Sequence, residues 1–203
     1  MINRIKISGV AVAADTDGLA TADICTGAGP WVLDNATEMP DGLAHKVTIT
    51  QAGSTNHSAK TAIITGTDAN GAAQVETALA LPNGATTVTS TKYFLSVTSV
   101  AISATIGADT MTMGWAADSV SPWKTIEDQE QTRNGFNMGI GCTVSEGSPT
   151  YAVQYTYDGV AAFTHATITG KTANFAAAQD FPVGAIRLLW TAAGGVNLTA
   201  LQA

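Results

Sequence analysis

Residues 61–80 read TAIITGTDANGAAQVETALA, and this stretch decides the class of fold. Ala62 to Thr67 reads as one strand and Ala72 to Leu79 as its partner, joined by Asp68-Ala69-Asn70-Gly71. Asn-Gly tolerates the positive φ angles of a tight hairpin turn. Upstream, His45 to Thr50 alternates polar with apolar, so Val47 and Ile49 share a face, as a half-buried strand requires. Downstream, Pro82-Asn83-Gly84 breaks the chain. Thr86 to Thr91 is a Thr/Val run, and Tyr93 to Ile106 reads as one long or two short strands. Met111, Met113 and Trp115 fall on one face of a further strand.

The character changes between Ala116 and Gln131, the most acidic stretch, which also holds Pro122. A domain boundary is expected near Ser119 to Pro122, giving domains 1–118 and 122–203. Strand signals then resume. Tyr151, Val153, Tyr155 and Tyr157 alternate with Ala152, Gln154, Thr156 and Asp158, and Ile186, Leu188 and Trp190 alternate likewise. Gly194-Gly195 turns the chain into a last strand, Val196 to Gln202. Helix signals are weak: Thr125 to Arg133 suits a short turn and Ala173 to Gln179 is helix-tolerant, but neither carries a 3.6-residue stripe. Many short strands without a βαβ rhythm predict an all-β chain of two small antiparallel β-sandwich or barrel-like domains.

Composition bounds the function. Hydrophobic residues make up 45 % of the 203, enough for a core, and charged residues only 12 %, about half the usual share. The net charge of −7 argues against nucleic-acid binding, which needs a basic footprint, and against adhesion to an anionic membrane. The apolar stretch Val10 to Ala14 is too short for a signal-peptide core or a membrane span. Cys25 and Cys142 lie far apart and read as two free thiols.

Catalytic patterns are missing from the sequence. His45, His57 and His165 have no metal-ligand spacing and read as surface or loop histidines. There is no nucleophile elbow, P-loop or dinucleotide fingerprint. Asp68 to Gly71 with Glu76 lacks the further ligand and flanking helices of a calcium loop. Glu127, Asp128 and Glu130 read as a solvated linker rather than a glycosidase pair. Trp115, Trp190 and one face of the Tyr151, Tyr155, Tyr157 strand are expected to fill cores. The chain is therefore expected to be non-enzymatic, with no cofactor and no metal.

The runs Val47-Thr48-Ile49-Thr50, Ile64 to Gly71, Glu76-Thr77, Thr89 to Phe94 and Val97 to Val100 resemble the N-terminal half of small virion structural proteins of tailed bacteriophages. Tyr151 to Asp158 and Phe181 to Leu188, followed by a strand ending near Gln202, resemble their C-terminal half. The resemblance covers most of residues 45–202 and rests on hairpin and strand signatures. It implies a capsid decoration or cement protein, found on the virion and assembled in the host cytoplasm. Its partners would be the major capsid protein and copies of itself, as in a trimer. A head-to-tail connector or tail/baseplate component is the first alternative. A carbohydrate- or receptor-binding module is the second, and it would need an exposed aromatic patch around Trp31 or Trp123. Candidate inter-subunit contacts are Ile2, Ile5 and Ile7, on a 1–14 segment that is either an arm or the first strand of domain one, together with Trp31 and Trp123.

Overall fold

The computed structural model describes residues 3–23, 27–34, 37–126 and 137–202. Ile2, Cys25, Glu127, Asp128 and Glu130 lie outside the described residues, as does most of the Thr125 to Arg133 turn. The described chain contains strands β1 (Asn3–Ala11), β2 (Asp15–Asp23), β3 (Gly29–Trp31), β4 (Ala44–Gln51), β5 (Thr61–Thr67), β6 (Ala73–Ala80) and β7 (Thr87–Phe94). These are followed by β8 (Ser96–Ile102), β9 (Met111–Val120), β10 (Lys124–Thr125), β11 (Met138–Thr156), β12 (Phe163–Thr164), β13 (Phe175–Gln179) and β14 (Ala185–Gln202). The fold is all-β, as expected.

The chain divides into two compact units, residues 13–119 and residues 1–12 plus 120–203. The division falls at Ser119/Val120, inside the crossing marked by the acidic stretch. The first strand, however, groups with the C-terminal part rather than with the half that follows it. The reason is pairing: β1 runs antiparallel along β14 from Asn3↔Gln202 to Ala11↔Gly194. Residues 13–119 are thus an insert in a host unit built from both ends of the chain.

In the inserted unit one sheet runs β2-β9-β4-β7 and a second runs β3-β8-β5-β6. Val47, Ile49 and Met113 from the first sheet, and Ile64, Val97 and Val100 from the second, have zero exposure; alternation accounts for Val47 and Ile49, and the register shift between Val97 and Ser99 accounts for the three-residue spacing in β8. The predicted turn is present. Asp68 Oδ1 accepts from the N–H groups of Asn70 and Ala72, the Gly71 N–H donates to the Asp68 carbonyl, and Gly71 takes φ 81°. The Asp68 carboxylate therefore closes the hairpin. Gly114 is required for a different reason: a Cβ there would stand 1.9 Å from the Asp15 carbonyl oxygen. That close approach lets β2 lie on β9 with Asp15 opposite Trp115, whose indole N–H donates to Ala13 O at 3.1 Å. Both ends of the insert therefore lie side by side.

The edges β6 and β7 are joined by side chains. Gln74 Nε2 donates to Tyr93 O at 2.5 Å, Lys92 Nζ to Val75 O at 2.6 Å, and the buried Glu76 carboxylate accepts the N–H groups of Thr91 and Lys92 at 3.0 Å. A carboxylate taken from water needs such donors.

In the host unit β11 and β14 pair antiparallel from Met138↔Gln202 to Thr156↔Ala185, with register shifts between Val144 and Tyr151. Ile186, Leu188, Trp190, Val196, Leu198 and Ala200 alternate along β14 and are buried against Tyr151, Val153, Cys142 and Ile140 of β11. Burial of Cys142 pushes its thiol up to about 12. The phenol of Tyr151 is also raised to about 12, by burial and the nearby thiol, and it donates to Ala173 O. Tyr157, expected in a core, is instead 56 % exposed, because β11 ends at Thr156 and the ring stands beyond the last pair. The helix-tolerant stretch at Ala173 to Gln179 yields β13, since pairing with Met138 to Cys142 overrides alanine's helical preference. β10 follows β1 along the same side of β14, and β12 pairs with the Gln154–Tyr155 end of β11.

Two outcomes are expected. Glu76→Ala leaves the Thr91 and Lys92 amides without this acceptor and lowers stability by about 1–3 kcal/mol in urea unfolding, whereas Glu76→Gln keeps a carbonyl there and costs about half as much. Chain points at Ala11 and Ser121 lie opposite Gly194 and Leu188 of β14, roughly 20 Å apart along the strand. Replacing residues 13–119 with a flexible linker of about eight residues is therefore expected to leave a host unit with a cooperative thermal transition. A molten far-UV-only signal would show that the host needs its insert.

Candidate functional site

β11 carries its apolar alternation past the end of its core. Tyr155 pairs with Phe163 of β12, and the next residue on that side, Tyr157, has no strand partner. The loop that follows is held by Asp158. Its Oδ1 accepts from the N–H groups of Val160 (2.8 Å) and Ala161 (2.9 Å) and from the Thr156 hydroxyl (3.0 Å). The amides, then the hydroxyl, hold this carboxyl below the usual carboxylate range. The result is a stiff loop with Val160 at its tip, 86 % exposed.

Four rings meet beside that tip. Tyr155 lies 5.8 Å from Tyr157 edge-on, 5.6 Å from Phe163 stacked, and 5.5 Å from Phe181 edge-on. Tyr157 lies 5.7 Å from Phe163 and 6.5 Å from Phe181. These are ordinary aromatic packing distances, so each ring fills its neighbour's space and none leaves a slot for a ligand. Tyr157, Phe163 and Phe181 nevertheless remain 43–56 % exposed. The arrangement is a protruding apolar knob, whose outer faces bury only against something larger. Contiguous exposed apolar groups of this kind mark contact surfaces.

The residues singled out in the sequence do not assemble into one site. Ile5 is half-buried on β1, and Ile7 is buried at 6 % exposure. The 3–11 segment is a strand of the host unit, paired along its length. Trp31 is 3 % exposed on β3 and offers no face to a sugar or a neighbour. Trp123 is half-buried, with the Arg187 guanidinium 4.2 Å from its ring centre and Arg187 Nε donating to Gln154. Phe163, Phe181 and Val160 were missed. The signal that could have found them is the Asp158-Gly159 turn immediately after an unbroken apolar alternation.

The three histidines are buried rather than on the surface, because each ring is fixed through both nitrogens. His45 Nδ1 donates to Ala116 O, and its Nε2 lies 2.8 Å from Asp41 Oδ2. His57 Nε2 lies 2.8 Å from Asp109 Oδ2, and Lys60 Nζ donates to its Nδ1. Hydrogen bonds from Thr55 and His57 hold the Asp109 carboxyl below its usual range. His165 Nδ1 accepts from the N–H groups of Thr167 and Ile168, while Nε2 donates to Ala178 O at 3.3 Å. A general base or a metal ligand needs a free lone pair, and none of these rings presents one. Among the described residues no group of three or more His, Cys, Asp or Glu is placed to hold a metal ion.

No family model and no curated protein matches this chain.

The Asp158 hydrogen bonds make the tip's rigidity pH-dependent. Because the folded carboxyl is depressed, its contribution is present above the unfolded value of about 3.9 and is lost as pH falls through the lower folded value. Amide exchange at Val160 and Ala161 is expected to stay slow at neutral pH and to rise in strong acid. Asp158→Ala is expected to speed it by at least tenfold at pH 7, read by hydrogen–deuterium exchange.

Proposed function

We propose that this chain is a non-enzymatic structural protein of a tailed-bacteriophage virion, most specifically a capsid decoration protein. It works by packing against the major capsid protein and copies of itself. The observation that supports the reading is the rigid, exposed knob of Tyr157, Val160, Phe163 and Phe181 on an all-β scaffold whose histidines are all engaged structurally. The sequence resemblance to virion proteins points the same way.

Charge is divided in keeping with such a role. The host unit contains six Lys/Arg and six Asp/Glu, a net charge of zero, whereas the insert contains three and ten and carries the whole −7. The knob therefore sits on the neutral unit, where close approach costs little electrostatically, and the acidic insert keeps the molecule soluble. Each contact is modest in area, so holding a shell together relies on many copies bound to the assembled lattice.

The test is quantitative mass spectrometry of purified virions, counting this chain against the major shell protein. Copy number near parity supports decoration. A small ring's worth of copies overturns decoration in favour of the neck or tail, and absence from the particle overturns the virion reading altogether. Phe181→Ser, a change at a ring that is 43 % exposed, is expected to lower incorporation at least tenfold while the protein keeps a cooperative thermal transition, lowered by the lost ring contacts.

A further inference from the structure

The knob is a protrusion, and the same unit carries a recess. At the far end of β11 a shallow groove of about 460 Å³ is lined by Gly139, Gly141, Ala176, Ala178, Thr199 and Leu201. Its floor is open because of what the glycines lack. A Cβ built on Gly139 meets nothing within 4 Å, and one on Gly141 comes no closer than 3.9 Å to Thr199 O. Leu201 stands 44 % exposed at the rim, and no charged side chain lines the groove.

We infer that the knob of one copy seats in the groove of a second copy, joining host units head to tail. The inference rests on the proposed role of the knob as a contact surface. Three observations select a second copy as the occupant. First, the four rings already lie 5.5–6.5 Å apart, so the knob can enter a recess but cannot serve as one. Second, knob and groove belong to one strand but to opposite ends of it, on either side of the irregular stretch between Val144 and Tyr151. From Ile140 to Tyr155 is roughly 50 Å of strand path, so the knob and the groove of one copy are separate surfaces. Third, the host unit carries no net charge, so two host units approach without repulsion, while the −7 of each insert disfavours contacts made through that unit.

The contact is heterologous, since two different surfaces meet, and it propagates into a ring or a chain. It is also weak. Three half-exposed rings and the Val160 side chain offer roughly 300–500 Å², below the ~800 Å² per partner of a stable complex. Purified protein is therefore monomeric at low concentration and associates as it rises.

The experiment is sedimentation velocity on the full chain from about 1 µM to about 1 mM. Val160→Asp places a charge on the knob, and Ala176→Glu places one in the groove; both positions are exposed, so the fold is retained. Wild type is expected to grow past the dimer with concentration, and each variant alone to stay monomeric. An equimolar mixture is expected to form only 1:1 dimers, because one variant keeps an intact groove and the other an intact knob. Wild type that remains a monomer at the highest concentration overturns the inference, as does a mixture that behaves like its components. Either result leaves virion incorporation, measured separately, untouched. A chain that associates but is absent from virions sinks the assembly role and keeps the contact.

Discussion

The antiparallel pairing of β11 with β14 is the constraint on which the host unit depends. Each strand is long enough to serve two sets of neighbours. One end of the pair carries β1 and β13, and the other carries β10 and β12. Trp190, Leu188 and Ile186 bury against Tyr151, Val153 and Tyr155, and Leu198 and Ala200 bury beside Cys142 and Ile140. A slip of one residue would turn every one of those side chains to the opposite face. Register here is therefore fixed by burial, and the irregular stretch from Val144 to Tyr151 is tolerated because an apolar segment on each side pins it.

Where burial ends, exposure begins in a regular way. The alternation that buries Tyr151 and Val153 continues through Tyr155, which still pairs with Ile186, to Tyr157, which lies beyond the last β14 pair. The knob is thus an extension of the core pattern beyond its partner strand. Asp158 fixes the loop that caps it, so the apolar tip is held in one conformation. Pre-organisation of that kind lowers the entropic cost of any contact made there.

Much of the fold was legible in the residues. The Asp68–Gly71 hairpin, the alternation at Val47 and Ile49 and the buried Met111–Met113 face follow from local pattern, because turn chemistry and period-two burial are local rules. The chain divides at Ser119/Val120, and no stretch of sequence marks that residues 1–12 belong with the part that follows this point. The placement of β1 was not legible, since pairing partners nearly two hundred residues apart leave no local trace. The same limit explains the candidate contacts. Ile7 and Trp31 are large apolar groups, and sequence alone does not tell a buried one from an exposed one. The knob itself is long-range too: Phe163 and Phe181 join Tyr155 only once β12 has paired.

The insertion of residues 13–119 also sets an order of events. β1 is synthesised before the insert, and its partner β14 after it. The insert is complete in sequence long before that partner exists, and its sheet β3-β8-β5-β6 pairs only within the insert, so that part can fold while the rest is still being made. The host unit, by contrast, closes only once β14 has been made, by a pairing that spans the whole insert. During that interval β1 is an unpaired edge, and its Arg4 and Lys6 are the charges that discourage the wrong strand from occupying it.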